Sequence, residues 1–254
     1  MTGITTSSES DRQCKGNGPV AAQLLVSVRS QAEMQSVIDS GADIVDLKEP
    51  KAGPLAPTDP SLWEWAANRR KAMDRADWPK FSAALGEPDE AVASASMLPG
   101  EFDFAKAGPS GCSDQNQLWR LWEQVRGRLD DRVELVAVAY ADSQAAGCPE
   151  PETVFRLARQ FGLRHCLLDT YRKDGRSSIE QLGWVSLRRL AETAESQNLW
   201  WALAGSIRRT DPSRLSRNGI TPNCFGVRGD VCGGTREDGL QVEQVRAWRL
   251  KLNA

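Results

Sequence analysis

Eight apolar, strand-like runs alternate with eight amphipathic, helix-like ones along this chain, and that alternation predicts a parallel sheet. Spread over residues 22–254, the repeat averages about 29 residues, a comfortable strand–helix–strand length. The first strand–helix turn, VRSQAE, holds no glycine, so the dinucleotide fingerprint of an open doubly wound sheet is missing. These observations together predict an α/β protein consisting of a single (β/α)8 TIM barrel. No linker or composition break divides residues 22–254. Residues 1–21 are polar and lack an apolar signal-peptide core, so a disordered tail is expected there.

In chain order the predicted strands are QLLVSVR (23–29), DIVDLK (43–48), KFSAALG (80–86), FDFAKAG (102–108), ELVAVAYAD (134–142), HCLLDT (165–170), LWWALAGS (199–206) and CFGVRGD (224–230). Each is a short apolar run rich in branched or aromatic residues and bounded by turn formers. Helices are predicted between them over 30–41, 59–73, 88–98, 116–129, 151–162, 178–197, 211–219 and 237–253. Several open with a capping Ser or Asp, or carry Pro in the first turn.

Composition narrows the function. Hydrophobic residues make up 40% and charged residues 26%, enough for a sizeable soluble core, and a net charge of −2 argues against a general nucleic-acid binder. No apolar run approaches a membrane span, and the cytoplasm is the expected location. Six cysteines (14, 112, 148, 166, 224 and 232) form no C-x-x-C pair and are expected as free thiols. With His165 the sole histidine, a zinc set and a histidine-based triad are both disfavoured; His165 reads as structural. Trp63, Trp65, Trp119 and Trp122 fall on the second and fourth helices. Packing against the barrel explains them, whereas an exposed set would mark a homo-oligomer face or a silent binding subunit.

The lysines carry the chemical signal. The chain has 24 arginines but only 8 lysines. Lys48 ends the second strand, Lys106 ends the fourth and Lys173 follows the sixth, at separations of 58 and 67 residues, two repeats each time. Inward residues of alternate staves share a layer, so the three amines are expected to converge on the C-terminal mouth where barrel enzymes keep their chemistry. Arginine binds anions at least as well, but only lysine becomes a neutral nucleophile. Asp46 lies two residues before Lys48 and should share its face. Asp169 ends the sixth strand, four residues before Lys173; Asp142 reads as a loop cap.

At pH 7 an ordinary lysine is neutral in only about one molecule in 2,500. Burial and neighbouring ammoniums lower its pKa, while Asp46 and Asp169 oppose them. One amine is then available to form a Schiff base, a second to move protons and a third to bind an anion. LAGSI, with Gly205 and Ser206 after the seventh strand, and VRGD, with Arg228 and Gly229 after the eighth, suit phosphate; Arg29 offers a further cation. The expected substrate is a small phosphorylated aldehyde or ketone, with no metal or organic cofactor required. Spacing alone leaves open a Schiff-base aldolase or a phosphosugar isomerase on the same barrel.

The motifs GADIVDLKEPKAGPLA, FDFAKAG, LLDTYRKDG, LAGSI and FGVRGDVC, in this order over most of residues 22–235, resemble the (5-formylfuran-3-yl)methyl phosphate synthase family, also called 4-hydroxymethyl-2-furancarboxaldehyde-phosphate synthase. The resemblance implies a (β/α)8 lyase of methanofuran biosynthesis and one-carbon metabolism. Such enzymes condense two glyceraldehyde 3-phosphate molecules into a phosphorylated furan aldehyde, losing phosphate and water. It also implies that Lys48 forms the Schiff base and Lys106 accepts the proton, with Asp46, Asp169 and Lys173 completing the site. Glu49 departs from the archaeal pattern, which has asparagine there.

Overall fold

The computed structural model describes residues 21–72 and 78–253, so the expected tail, apart from Ala21, lies outside the described residues, as does Cys14. The elements run β1 (Gln23–Val28), α1 (Gln31–Asp39), β2 (Ile44–Leu47), α2 (Pro60–Lys71), β3 (Lys80–Ala84), α3 (Pro88–Met97), β4 (Phe104–Ala107), α4 (Gln115–Arg126) and β5 (Glu134–Tyr140). Then follow α5 (Ser143–Ala146), α6 (Pro151–Phe161), β6 (His165–Asp169), α7 (Ser178–Leu182), α8 (Trp184–Ser196), β7 (Trp200–Leu203), α9 (Asp211–Arg217), β8 (Cys224–Val227) and α10 (Val242–Leu252). The strands pair in parallel in sequence order, and β8 closes on β1, giving the barrel that the alternation predicts. No helix among the described residues is long and apolar enough to cross a membrane.

Successive strand residues point to opposite faces, so a closed barrel sorts its apolar residues into two cores. One set, including Val26, Val45, Ala105, Ala139 and Leu168, faces outward and packs with Trp63, Trp122 and Trp248 from the helices. The other set, including Leu25, Ile44, Phe104, Val138, Leu167, Ala202 and Cys224, faces the barrel axis. Toward the C-terminal ends the axial positions change from apolar to charged. On β2 the step is from Ile44 to Asp46, on β4 from Phe104 to Lys106, and on β6 from Leu167 to Asp169. That change builds an apolar floor beneath a polar mouth.

Helix starts follow capping chemistry. Ser30, Asp59 and Asp114 accept from the backbone N–H of Glu33, Ser61 and Gln117, and Ser177 with Glu180 forms a capping box. The structure departs from the expected helices in three places. The single helix expected over 178–197 is two, α7 and α8, broken at Gly183 with φ 76° and ψ 158°, a conformation glycine adopts freely. The cause is that Ser178 is tied to the end of β7: its N–H donates to Gly205 O at 2.9 Å and its hydroxyl to Ala204 O at 2.7 Å. The last helix begins at Val242 rather than 237, because Cys232 and Leu240 pair as an antiparallel bridge before it. The short α5 was not expected, and Asp142 beside it accepts from the N–H groups of Tyr171 and Arg172, capping the loop after β6.

Trp63 and Trp122 are fully buried, and Trp65 and Trp119 are half-buried; Trp119 meets Phe161 edge-on at 4.9 Å. The four tryptophans therefore pack helices rather than forming an exposed set. His165 sits at the opposite end of the barrel from the charged mouth, between Phe104 and Trp200, with Nδ1 2.7 Å from Glu134.

Phe104 is 5% exposed and forms part of the floor beneath Lys106. Phe104→Ala is expected to lower unfolding free energy by about 3–5 kcal/mol in denaturant titration, since it deletes a large buried ring from a closed interior. A loss under about 1 kcal/mol would show that the floor is not closely packed.

Candidate active site

Lys106 and Asp46 stand inside β4 and β2 on the axial face. Lys48 follows β2 by one residue and keeps its alternation, because its N–H donates to Val28 O at 3.0 Å. Asp169 ends β6, and Lys173 reaches back to it from the following loop. All five line one cavity of about 600 Å³, its open mouth included. Gly205, Ser206, Arg228 and Gly229 line the same cavity; Arg29 does not, and lies 3.9 Å from Glu33 instead.

The ion pairs cross the barrel. Asp46 and Lys48 share a face, but Asp46 pairs with Lys106, two strands away, and its second oxygen accepts from the Ser27 hydroxyl at 3.0 Å. Asp169 serves two lysines. One oxygen accepts from Lys173 Nζ at 2.8 Å and from Thr170 N–H at 2.7 Å; the other lies 3.9 Å from Lys48 Nζ. Lys173 also donates to the Thr170 hydroxyl at 3.1 Å, and Lys48 has one long contact to Pro54 O at 3.5 Å.

Lys48 therefore lacks a close counter-ion. It is 8% exposed, and burial drives its pKa from 10.5 down to about 8, with Lys173 and Lys106 helping and Asp169 and Asp46 opposing. At pH 7 that leaves about one molecule in ten with a neutral amine, roughly a 250-fold enrichment over an unperturbed lysine. Asp169 moves the other way. Burial alone would raise it, but the Lys173 and Lys48 ammoniums and its hydrogen bonds outweigh that and hold it well below the usual carboxylate range. The mouth thus combines an amine that titrates near neutrality with a carboxylate that stays ionised.

The β7 end is a tight turn whose backbone amides are unpaired among the described residues. Gly205 has φ 82° and Ser206 φ 55°, both left-handed. A Cβ at Gly205 would fall 2.2 Å from the Ser178 hydroxyl and 2.9 Å from Thr170 N, so only glycine fits. Among the described residues, the N–H groups of Gly205, Ser206, Ile207 and Gly229 donate to no protein acceptor. Free amides on a cavity wall are the ordinary means of holding a phosphate.

Sequence reasoning missed Ser27, Thr170, Glu33 and Arg236. Ser27 carried a signal, being a polar residue at an axial position of the apolar run QLLVSVR. Arg236 carried none, because the fold of its loop alone brings it to the cavity. The five described cysteines are free thiols, and burial pushes Cys112 up to about 11 and Cys148 to about 12, away from the reactive thiolate form.

The charge arrangement gives a direct expectation. Reductive methylation by limiting formaldehyde, followed by peptide mass spectrometry, should show Lys48 labelling rise with pH about a midpoint near 8. In Asp169→Asn the midpoint should move to lower pH, because the largest charge favouring the ammonium is gone. A midpoint that stays put or rises would contradict this account of the site.

Comparison with known proteins matches this sequence to a family. The 4-HFC-P synthase family profile matches residues 24–249. The (5-formylfuran-3-yl)methyl phosphate synthase of Methanosarcina mazei is 31% identical over 231 residues, covering 88% of this chain and 96% of its own. That of Methanocaldococcus jannaschii is 32% identical over 225 residues, covering 85% and 93%. Among solved structures, KGPDC from Streptococcus mutans superposes with a TM-score of 0.60 over 92% of this chain and 98% of that one; at 10% identity it speaks to the barrel fold alone.

Proposed function

This chain belongs to the 4-HFC-P synthase family, and from that premise we propose that it condenses two molecules of glyceraldehyde 3-phosphate into (5-formylfuran-3-yl)methyl phosphate through an imine on Lys48. Membership makes the activity that of a (5-formylfuran-3-yl)methyl phosphate synthase, an enzyme of methanofuran biosynthesis. The observation that supports the imine is Lys48 itself, a buried amine with its pKa brought to about 8 and no close counter-ion, on a cavity shared with Lys106 and Lys173.

The neutral Nζ of Lys48 adds to the aldehyde carbon of one substrate, and the resulting carbinolamine loses water to give the protonated imine. That cation draws electrons from the adjacent carbon, whose proton passes to Lys106. Lys106 donates a hydrogen bond to Asp46, so the pair offers a path by which the proton taken from carbon reaches a departing hydroxyl. Phosphate then leaves from the resulting enamine, the second substrate adds through a new carbon–carbon bond, and ring closure with loss of water and hydrolysis of the imine gives the furan and frees Lys48. Asp169 stays ionised and holds Lys173 by a 2.8 Å hydrogen bond beside the reacting atoms, where its Nζ faces the phosphoryl groups. The free amides at Gly205, Ser206 and Gly229 hold one phosphate. Because a triose phosphate does not cross a membrane unaided, this reading places the enzyme in the cytoplasm.

Purified protein given glyceraldehyde 3-phosphate is expected to form an ultraviolet-absorbing furan and release phosphate; an aldolase would do neither. Borohydride should trap substrate on Lys48, and Lys48→Arg should fold but give no adduct, because arginine forms no imine. Trapping that persists in this variant would move the nucleophile elsewhere. Lys106→Ala should still trap substrate yet lose turnover by about 100-fold or more. Full turnover would remove Lys106 from the proton path.

A further inference from the structure

The loop leaving β8 folds into a small hairpin. Cys232 and Leu240 pair as its base, Gly233 N–H donates to Gly239 O at 3.2 Å, and at the tip Asp238 accepts from Thr235 N–H at 2.7 Å. Arg228 holds this hairpin from inside the barrel. Its Nε donates to Arg236 O at 3.0 Å and its Nη2 to Asp238 O at 3.0 Å, while the rest of the guanidinium is bound by Ser27 O at 3.1 Å and by both Glu33 oxygens at 2.5 and 3.1 Å. All five donors of Arg228 are thus used within the protein, and its charge is balanced by Glu33. It has nothing left for a ligand.

Arg236, whose carbonyl Arg228 holds, is the reverse case. Its side chain is half-buried on the cavity wall, and its one protein hydrogen bond is a 3.5 Å contact from Nη2 to Gly53 O in the loop after β2. No carboxylate among the described residues forms an ion pair with it, whereas Lys106 pairs with Asp46, and Lys48 and Lys173 share Asp169. The cavity therefore presents an unbalanced guanidinium with nearly all its donors free, and a guanidinium fork matches the face of a phosphate.

We propose that Arg236 is a substrate-binding residue that takes the phosphate of the second phosphorylated substrate molecule, opposite the amide cradle of Gly205 and Ser206, and that Arg228 positions it by holding the hairpin. This rests on the reading that two phosphorylated molecules meet in this cavity. It makes the loop after β8 a determinant of specificity for paired phosphates.

The test uses the full chain and its Arg236→Ala and Arg236→Lys variants, with folding checked by thermal unfolding. Titration with sn-glycerol 3-phosphate, which carries the phosphate but no aldehyde, should show binding weakened by about 10- to 100-fold at one site in Arg236→Ala and partly restored in Arg236→Lys. The KM for glyceraldehyde 3-phosphate should rise by a similar factor, while borohydride trapping of unphosphorylated glyceraldehyde on Lys48 stays at the wild-type level. Unchanged glycerol phosphate binding, with KM within about twofold of wild type, overturns the assignment. Wild-type protein that binds glycerol phosphate through Arg236 but makes no furan would overturn the proposed reaction and leave the binding residue standing.

Discussion

A charge buried on the axial face of a closed barrel has little water to hydrate it, so it has to meet its counter-ion on another stave. Lys106 and Asp46 are 3% and 1% exposed, and they pair across β3, whose axial residues in that register are Ser82 and Ala84. A large side chain at either position would stand between the two ions. Leaving one of them unpaired in this interior would cost about 3–5 kcal/mol. The small residues of β3 are therefore as much a part of the site as the charges themselves. With Asp46 committed to Lys106, Lys48 is left to a more distant partner.

That division sets the reactivity of the mouth. Asp169 is the counter-ion for two ammoniums, and it stands hydrogen-bonded to Lys173 but 3.9 Å from Lys48. For Lys48, desolvation outweighs what Asp169 supplies, and the amine releases its proton near pH 8. Had Asp46 turned to its own strand neighbour, Lys48 would hold a close carboxylate and Lys106 would lack one. The different surroundings of the two lysines follow from which carboxylate each meets, not from their own chemistry.

The β7 side of the cavity has its own constraints. Gly205 is fixed by the contact of α7 with the end of β7, where Ser178 leaves no room for a Cβ. The same contact turns the chain at Gly183 and splits what would otherwise be one long helix. Arg228 ties α1, through Glu33, to the hairpin after β8, so that a buried guanidinium organises the rim.

The repeat of strand and helix determined the barrel, because closing eight parallel units is the way such a chain buries both faces of its strands. Alternation along β2, β4 and β6 likewise placed Asp46, Lys48, Lys106 and Asp169 on the axis, since direction along a strand is a local property. The motif series carried the family. Tertiary structure alone decided the partners: that Asp46 answers Lys106, that Arg228 is fully consumed inside the protein, that Arg29 lies off the cavity, and that Arg236 enters it. Ion pairing and donor saturation depend on distances between atoms far apart in the chain, and those distances exist only once the barrel has closed.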